Sequence, residues 1–75
     1  MHAAALTSDR LRRVLALLRD GQPRSTRQIV RGARIMAVSA CIAELRQHGA
    51  EISCRRRRKN GRWIYEYTMT KEPNA

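Results

Sequence analysis

Aromatic and acidic side chains are scarce in this chain of 75 residues, which contains no phenylalanine, one tryptophan, two tyrosines and six carboxylates. Without phenylalanine, a hydrophobic core has to be built mostly from aliphatic side chains. A chain of this length buries only about 60% of the surface that its unfolded form exposes, so it can form one small domain and no large enzyme fold. The apolar residues never form a run of about 18, so the sequence predicts no membrane span.

Catalytic and metal-binding patterns are also missing from the sequence. The carboxylates are scattered, neither histidine has a partnered Asp or Ser, and no glycine-rich phosphate loop occurs. Cys41 and Cys54 are too few for a disulfide-built fold, and together with His48 they lack the paired spacing and the further ligand of a zinc site. We therefore predict a protein that is not an enzyme, keeps its cysteines reduced, and binds no metal, cofactor or small molecule.

Positive charge, by contrast, is abundant and unevenly spread. The chain has 16 Lys and Arg residues and a net charge of +10, and 14 of the 16 are arginines. The planar guanidinium of arginine suits both phosphate oxygens and guanine edges. The densest cluster is the run of five cations from Arg55 to Lys59, which repel one another when no partner is present. This pattern favours a polyanionic partner, either a nucleic acid or an anionic membrane surface.

Three segments have the hydrophobic spacing of short helices. The first is predicted over about residues 8–20, where four aliphatic side chains share one face: Leu11, Val14, Leu15 and Leu18. The second is predicted to begin at Ser25, because Ser25 and Gln28 have the spacing of a capping box, with Gly32 either ending it or allowing another backbone to approach. The third is predicted over about residues 36–48, with four apolar side chains facing inward: Val38, Cys41, Ile42 and Leu45.

The last part of the chain has the pattern of a β-hairpin with strands over about residues 51–58 and 61–70. Asn60-Gly61 is typical of a two-residue type I′ turn, in which both central residues need a positive φ. The resulting register pairs Arg55 with Glu66 and places Trp63 opposite Arg58, where we expect it to pack against arginine stems. Alternation puts five side chains on one face, and all five are expected to pack against the core: Ile52, Cys54, Tyr65, Tyr67 and Met69.

Two helices, a tight turn, a third helix and a basic hairpin are the parts of a winged helix-turn-helix. The segment from Val38 to Gly49, with Val-Ser at its start and Glu-Leu-Arg-x-x-Gly at its end, resembles the recognition helix of bacterial winged-helix regulators. From Ser25-Thr26 through Asn60-Gly61-Arg62 to Tyr67, the chain resembles a phage-associated helix-turn-helix family. The fold expected is mainly α with a β-hairpin: three helices plus a C-terminal two-stranded wing over residues 8–70, between tails at 1–7 and 71–75.

The resemblance implies binding to double-stranded DNA by a small regulator or architectural accessory factor of phage or mobile-element type. The third helix is expected in the major groove, where Ala40 and Ala43 can contact thymine methyl groups, and the wing on the backbone or minor groove. Hydrogen bonds are expected to base edges from Arg34, Gln47 and Arg46, and to phosphates from Arg27 and Ser39. The wing residues expected to attract the backbone are Arg55, Arg56, Arg57, Arg58, Lys59 and Arg62.

Other interpretations stay open on the sequence alone. The same surface could bind an acidic protein partner, or the arginine-rich strand could bind structured RNA. A homodimer is a further hypothesis, with Leu6 and Leu17 as candidate contacts, because winged regulators often bind two-fold sites as pairs. The first residues lack the pattern of a signal peptide, and we expect a cytoplasmic, nucleoid-associated protein with no membrane partner.

Overall fold

The computed structural model describes residues 8–74, which form three helices and a three-stranded antiparallel sheet. The helices are α1 (Asp9–Leu18), α2 (Thr26–Ala33) and α3 (Val38–Gln47), and the strands are β1 (Arg24–Ser25), β2 (Glu51–Lys59) and β3 (Arg62–Lys71). Within these residues, no helix combines the length and hydrophobicity needed to cross a bilayer. The tail predicted over residues 1–7 and the candidate dimer contact Leu6 lie outside the described residues.

The order of three helices followed by a two-stranded wing is as predicted, but the sheet to which the wing belongs has a third strand that was not predicted. The short strand β1 pairs with β3, with Arg24 opposite Tyr67 and Ser25 opposite Glu66, so that the strand order is β1-β3-β2. A strand of two residues has no alternating pattern, and hydrophobic periodicity therefore does not reveal it. At the other end, β3 continues to Lys71, and the backbone amide of Asn74 donates to the carbonyl oxygen of His48 at 2.7 Å.

The ends of α2 show how local chemistry sets a helix boundary. The predicted capping box is confirmed, because Ser25 Oγ accepts from the amide of Gln28 at 3.1 Å and Gln28 Oε1 accepts from the amide of Ser25 at 2.8 Å. Of the two roles predicted for Gly32, ending the helix is wrong, since α2 continues to Ala33 and is capped by Arg34 in the left-handed region, with φ 55°. Gly32 instead permits close helix packing: a Cβ there would lie 3.1 Å from Cδ1 of Leu17 on α1.

The core lies between the three helices and the base of the hairpin. Its members are aliphatic except for Cys41 and Met69, and the described residues contribute no buried polar or charged residue to it. The predicted inward faces of α1 and α3 are confirmed, and they are completed by Ile29, Ala33, Ile35, Ala50, Ile52 and Met69. Tyr67 packs against this core from a partly buried position. The core positions predicted for Cys54 and Tyr65 are wrong, because both residues are exposed.

The predicted register of the hairpin is confirmed. Ile52 pairs with Met69, Arg55 with Glu66, and Arg58 with Trp63. Asn60 has φ 52° and Gly61 has φ 75°, which are the positive values that a type I′ turn needs at both central residues. Because only the base of the hairpin meets the helices, residues that share one face differ in burial: those near the base are covered, and those near the turn are not.

Candidate nucleic-acid interface

Residues 55–65, here called the outer wing, extend away from the core as an exposed hairpin. The last buried pair along the hairpin is Ile52 with Met69. A strand rises about 3.3 Å per residue, so Lys59 lies roughly 20 Å further along β2 than Ile52. The molecule is accordingly elongated, with extents of 43 × 22 × 22 Å. The turn therefore projects far enough to contact a partner that the helices do not touch.

The outer wing carries a dense and poorly neutralised positive charge. All six cations of this segment are exposed: Arg55, Arg56, Arg57, Arg58, Lys59 and Arg62. The nearest carboxylate belongs to Glu66, whose Oε2 lies 3.3 Å from Nη2 of Arg57, although its cross-strand neighbour is Arg55. Within the described residues, the other five cations form no ion pair. Their mutual repulsion is relieved only by counterions or by a polyanionic ligand.

Trp63 organises part of this charge. Cζ of Arg56 lies 4.4 Å from the centroid of the indole ring, and Cζ of Arg58 lies 5.6 Å from it. Both distances are within the range of cation–π contacts, so the predicted packing of Trp63 against arginine stems is confirmed. The ring is nevertheless 52% exposed. The arginines therefore restrict its position without covering it.

An open groove with a volume of about 930 Å³ lies between the start of α2 and the outer wing. Its lining includes three cations and two aromatic rings: Arg27, Lys59, Arg62, Trp63 and Tyr65. The groove exists because β1 pairs with β3 and so brings the first turn of α2 beside the hairpin. Of the residues predicted to contact DNA, it brings together Arg27, Lys59 and Arg62. Sequence reasoning did not predict that Tyr65 is exposed, because alternation shows which side chains share a face of the hairpin but not how deeply each one is buried.

The outer side of α3 is exposed but lies apart from this groove. The predicted contact residues on this helix all have exposed side chains: Ser39, Ala40, Ala43, Arg46 and Gln47. Met36, just before the helix, is 89% exposed. Arg34 is exposed at the end of α2. Among the described residues that line the groove, none belongs to α3, so the groove does not include the contact residues predicted on this helix.

Several arginines of the helical body, defined here as residues 9–50, bond to the protein itself. Nη2 of Arg10 pairs with Oε1 of Glu44 at 3.0 Å, which links α1 to α3. Nε of Arg13 donates to the carbonyl oxygen of Ala33 at 2.6 Å. Nη2 of Arg46 donates to the carbonyl oxygen of Ile52, also at 2.6 Å, and so ties the end of α3 to β2. These bonds give each of the three side chains a structural role.

The titratable groups of the helical body show no metal-binding or nucleophilic arrangement. A hydrogen bond from the amide of Gln22, together with the nearby Arg24 guanidinium, holds the pKa of Asp20 below its ordinary value. Burial raises the pKa of the Cys41 thiol, which keeps that thiol protonated and unreactive. In the part of the chain that the structure describes, no three His, Cys, Asp or Glu side chains converge to hold a metal ion.

A family model described as a winged helix-turn-helix domain matches residues 10–72, which cover the whole hairpin and the three helices except the first residue of α1. No curated protein and no solved structure matches the chain.

Proposed function

The chain belongs to the winged helix-turn-helix domain family, a family of DNA-binding domains, and from that membership we propose that this protein binds double-stranded DNA. The outer wing is the observation that carries the proposal, because it presents six exposed cations with a single ion pair. Duplex DNA carries about one negative charge per 1.7 Å of its axis, and cations that contact its phosphates release condensed counterions. An arginine hairpin that extends from a folded body is suited to such contacts.

In the proposed complex, the outer wing lies on the sugar-phosphate backbone or in the minor groove, and the outer side of α3 enters the major groove. Ala40 and Ala43 allow close approach and contact thymine methyl groups, while Ser39 and Arg27 bind phosphates. Arg34 and Gln47 donate to base edges. Arg46 can also donate to a base edge, but only with the N–H groups that its hydrogen bond to the carbonyl oxygen of Ile52 does not use. This assignment follows from exposure, charge and side-chain chemistry.

We further propose that the protein acts as a small regulator or architectural accessory factor of phage or mobile-element type, associated with the nucleoid. Small side chains on α3 offer few hydrogen bonds to bases, so the electrostatic contribution to affinity is expected to be large. A homodimer remains a prediction: Leu17 is partly buried against the core, which reduces the surface it could offer to a second copy.

Selection of bound sequences from random duplexes distinguishes a regulator from an architectural factor, because a regulator enriches a consensus sequence and an architectural protein does not.

The test is a titration of duplex DNA at about 50 and 200 mM salt. We expect the affinity of the unmodified protein to fall by about 10³ over this range if the six wing cations each contact a phosphate. Replacing Arg56, Arg57 and Arg58 by Ala removes three contacts, so the slope of log affinity against log salt should decrease by roughly 2.7. The matched control replaces by Ala three arginines of the helical body: Arg12 on α1, Arg19 just after α1, and Arg31 on α2.

The control variant loses the same net charge from the helical body and should retain most of the slope. Equal losses in both variants would show that net charge, and not the outer wing, determines binding. No affinity for duplex DNA even at low salt would overturn the proposed function.

A further inference from the structure

We infer that the groove between α2 and the outer wing binds unpaired nucleotides, as a single-strand site beside the surface proposed for the duplex. The inference extends the proposed DNA binding and rests on it only in taking nucleic acid as the ligand. It needs neither the entry of α3 into a major groove nor a particular recognition sequence. The argument depends on the residues that line the groove, on the exposed edge of β3, and on the way in which Trp63 is held.

The lining of the groove combines positive charge with exposed aromatic rings. Arg27 lies on the α2 side, while Lys59 and Arg62 lie on the wing side, and no carboxylate is among the described residues that line it. The two most exposed aromatic side chains of the described residues, Trp63 at 52% and Tyr65 at 49%, both face this groove. Cations that follow a backbone and rings that stack on bases are the two elements by which proteins bind single strands without a fixed sequence.

The spacing of the two rings suits stacked bases. Trp63 and Tyr65 are two residues apart on β3, so their side chains leave the same face about 6.7 Å apart. This distance is about twice the 3.4 Å rise between consecutive nucleotides in a strand. One base can therefore lie between the rings, or each ring can stack on one of two nucleotides along the strand. The volume of about 930 Å³ is in the range of small-ligand sites, which suits a few nucleotides.

The edge of β3 beside the groove is unpaired. Strand β1 pairs only with Glu66 and Tyr67, so the segment from Arg62 to Tyr65 has β2 on one side and the groove on the other. The backbone amides and carbonyls of this segment that face the groove are available to hydrogen-bond with bases. The bases of a single-stranded nucleic acid need such partners, because they have no complementary strand to pair with. At the opposite wall, the amides of Thr26 and Arg27 have no partner within α2, as in the first turn of any helix.

Trp63 is already held in position before a ligand binds. The guanidinium groups of Arg56 and Arg58 contact its ring, but neither arginine lines the groove. A base in the groove would thus meet the part of the indole that the arginines leave exposed. Because the ring loses little freedom on binding, the entropy cost of stacking is lower than for a freely rotating side chain.

Trp63 is the single tryptophan of the chain and reports on the groove directly. The experiment titrates the full protein with a thymidine oligonucleotide of about eight nucleotides and with a duplex, following tryptophan fluorescence and anisotropy of the labelled DNA. We expect the single strand to quench the fluorescence. Tyr65→Ala should weaken single-strand binding about 10-fold, and Tyr65→Phe, which keeps the ring, should restore most of it. A uridine oligonucleotide shows whether the same stacking accepts RNA, and binding of either sugar supports the inference.

Arg27 and Arg31 provide a matched pair on α2. The two exposed arginines lie one helical turn apart, and only Arg27 lines the groove. Arg27→Ala should weaken single-strand binding several-fold more than Arg31→Ala, although the change in net charge is the same. Circular dichroism checks that each variant folds. A Tyr65→Ala variant that folds and still binds the single strand as tightly as the unmodified protein would overturn the inference.

The two proposals fail in different ways. If duplex binding depends on the arginines of the outer wing but single-strand binding does not depend on Tyr65 or Arg27, the inference about the groove is wrong and the proposed function stands. If single-strand binding depends on Tyr65 and Arg27 but the protein has no affinity for a duplex, the proposed function is wrong and the inference about the groove stands.

Discussion

The helical body and the outer wing of this protein are stabilised in opposite ways. Almost all of the buried side chains come from the helical body, with Ile52 and Met69 added at the base of the hairpin, whereas no residue of the outer wing is buried. The cations of the helical body include several that bond to other parts of the chain, such as Arg10 and Arg13. In the outer wing, only Arg57 has an ion-pair partner within the described residues.

This difference indicates a separation between what keeps the chain folded and what binds its partner. Burial of aliphatic groups stabilises the helical body by roughly 1.5–3 kcal/mol for each large side chain. The outer wing has no such contribution and is held by its backbone ladder, its type I′ turn and the stacking on Trp63. Substitutions in the helical body should therefore change stability first, and substitutions in the outer wing should change binding first.

The largest expected effect is that of a cavity in the helical body. Leu45 on α3 is fully buried, so Leu45→Ala should lower the free energy of unfolding by about 2–5 kcal/mol. A chain of this size is expected to have a total stability of about 4–11 kcal/mol, so the variant stays mostly folded unless the loss is near its upper limit and the total stability near its lower limit. Urea denaturation followed by circular dichroism measures the change.

The matched control for this cavity lies in the outer wing. Arg55→Ala removes a longer side chain, but one that is exposed, and should change the free energy of unfolding by less than about 0.5 kcal/mol. Similar losses in Leu45→Ala and Arg55→Ala would break the proposed separation, because they would mean that the outer wing contributes to the folding unit as strongly as the core does.

Arg46 joins the helical body to the base of the hairpin, and its replacement should have an intermediate effect. Its guanidinium donates to the carbonyl oxygen of Ile52, where α3 meets the hairpin. Removing a charged donor to a carbonyl costs about 1 kcal/mol at a partly exposed site, so Arg46→Ala should lower stability by this amount in the same urea experiment. Gln47→Ala, at the next and exposed position, is the control and should leave stability unchanged.

The same pair of variants decides what Arg46 does. If its main role is structural, duplex affinity at a temperature where the protein is folded should change less than about 2-fold on Arg46→Ala. A large loss of affinity with unchanged stability would instead support the predicted contact of Arg46 with base edges.

Features set by a few neighbouring residues could be predicted from the sequence. Asn60-Gly61 determines the turn, the turn determines the register, and alternation then determines which side chains share a face. The capping box of Ser25 and Gln28 is equally local, since four consecutive residues contain both of its hydrogen bonds. Such features do not depend on how distant segments pack.

Features that depend on distant segments were missed. For Gly32, the sequence left open the end of α2 and a close approach by another segment, and only the packing of Leu17 from another helix decides between them. Tyr65 shares a face with Met69, but alternation does not tell how far the helices extend along that face. The groove follows from the pairing of β1 with β3, and two residues give no periodic signal for a strand. The groove could therefore be identified only from the folded structure.

The smallest expected effect concerns a charged pair of the helical body, Asp20 with Arg24. Asp20 lies in the turn before β1, where its carboxylate accepts from the amide of Gln22 and pairs with Arg24. These interactions hold its pKa below the ordinary value of 3.8. A carboxyl group whose pKa is lowered by folding stabilises the protein above its unfolded pKa, and this contribution is lost as the pH falls through the folded pKa.

Asp20→Asn keeps an oxygen that can accept from Gln22 but removes the charge at every pH. The unmodified protein should therefore be slightly more stable than Asp20→Asn above about pH 5, and the difference should shrink as the pH falls below 3.8. Urea denaturation of both proteins across this range measures the difference, and the subtraction cancels the titration of the other carboxylates. A difference that stays constant with pH would mean that folding does not lower the pKa of Asp20, so that neither the Gln22 amide nor Arg24 stabilises its charge in solution. This part of the helical body would then resemble the outer wing in leaving its charges to solvent.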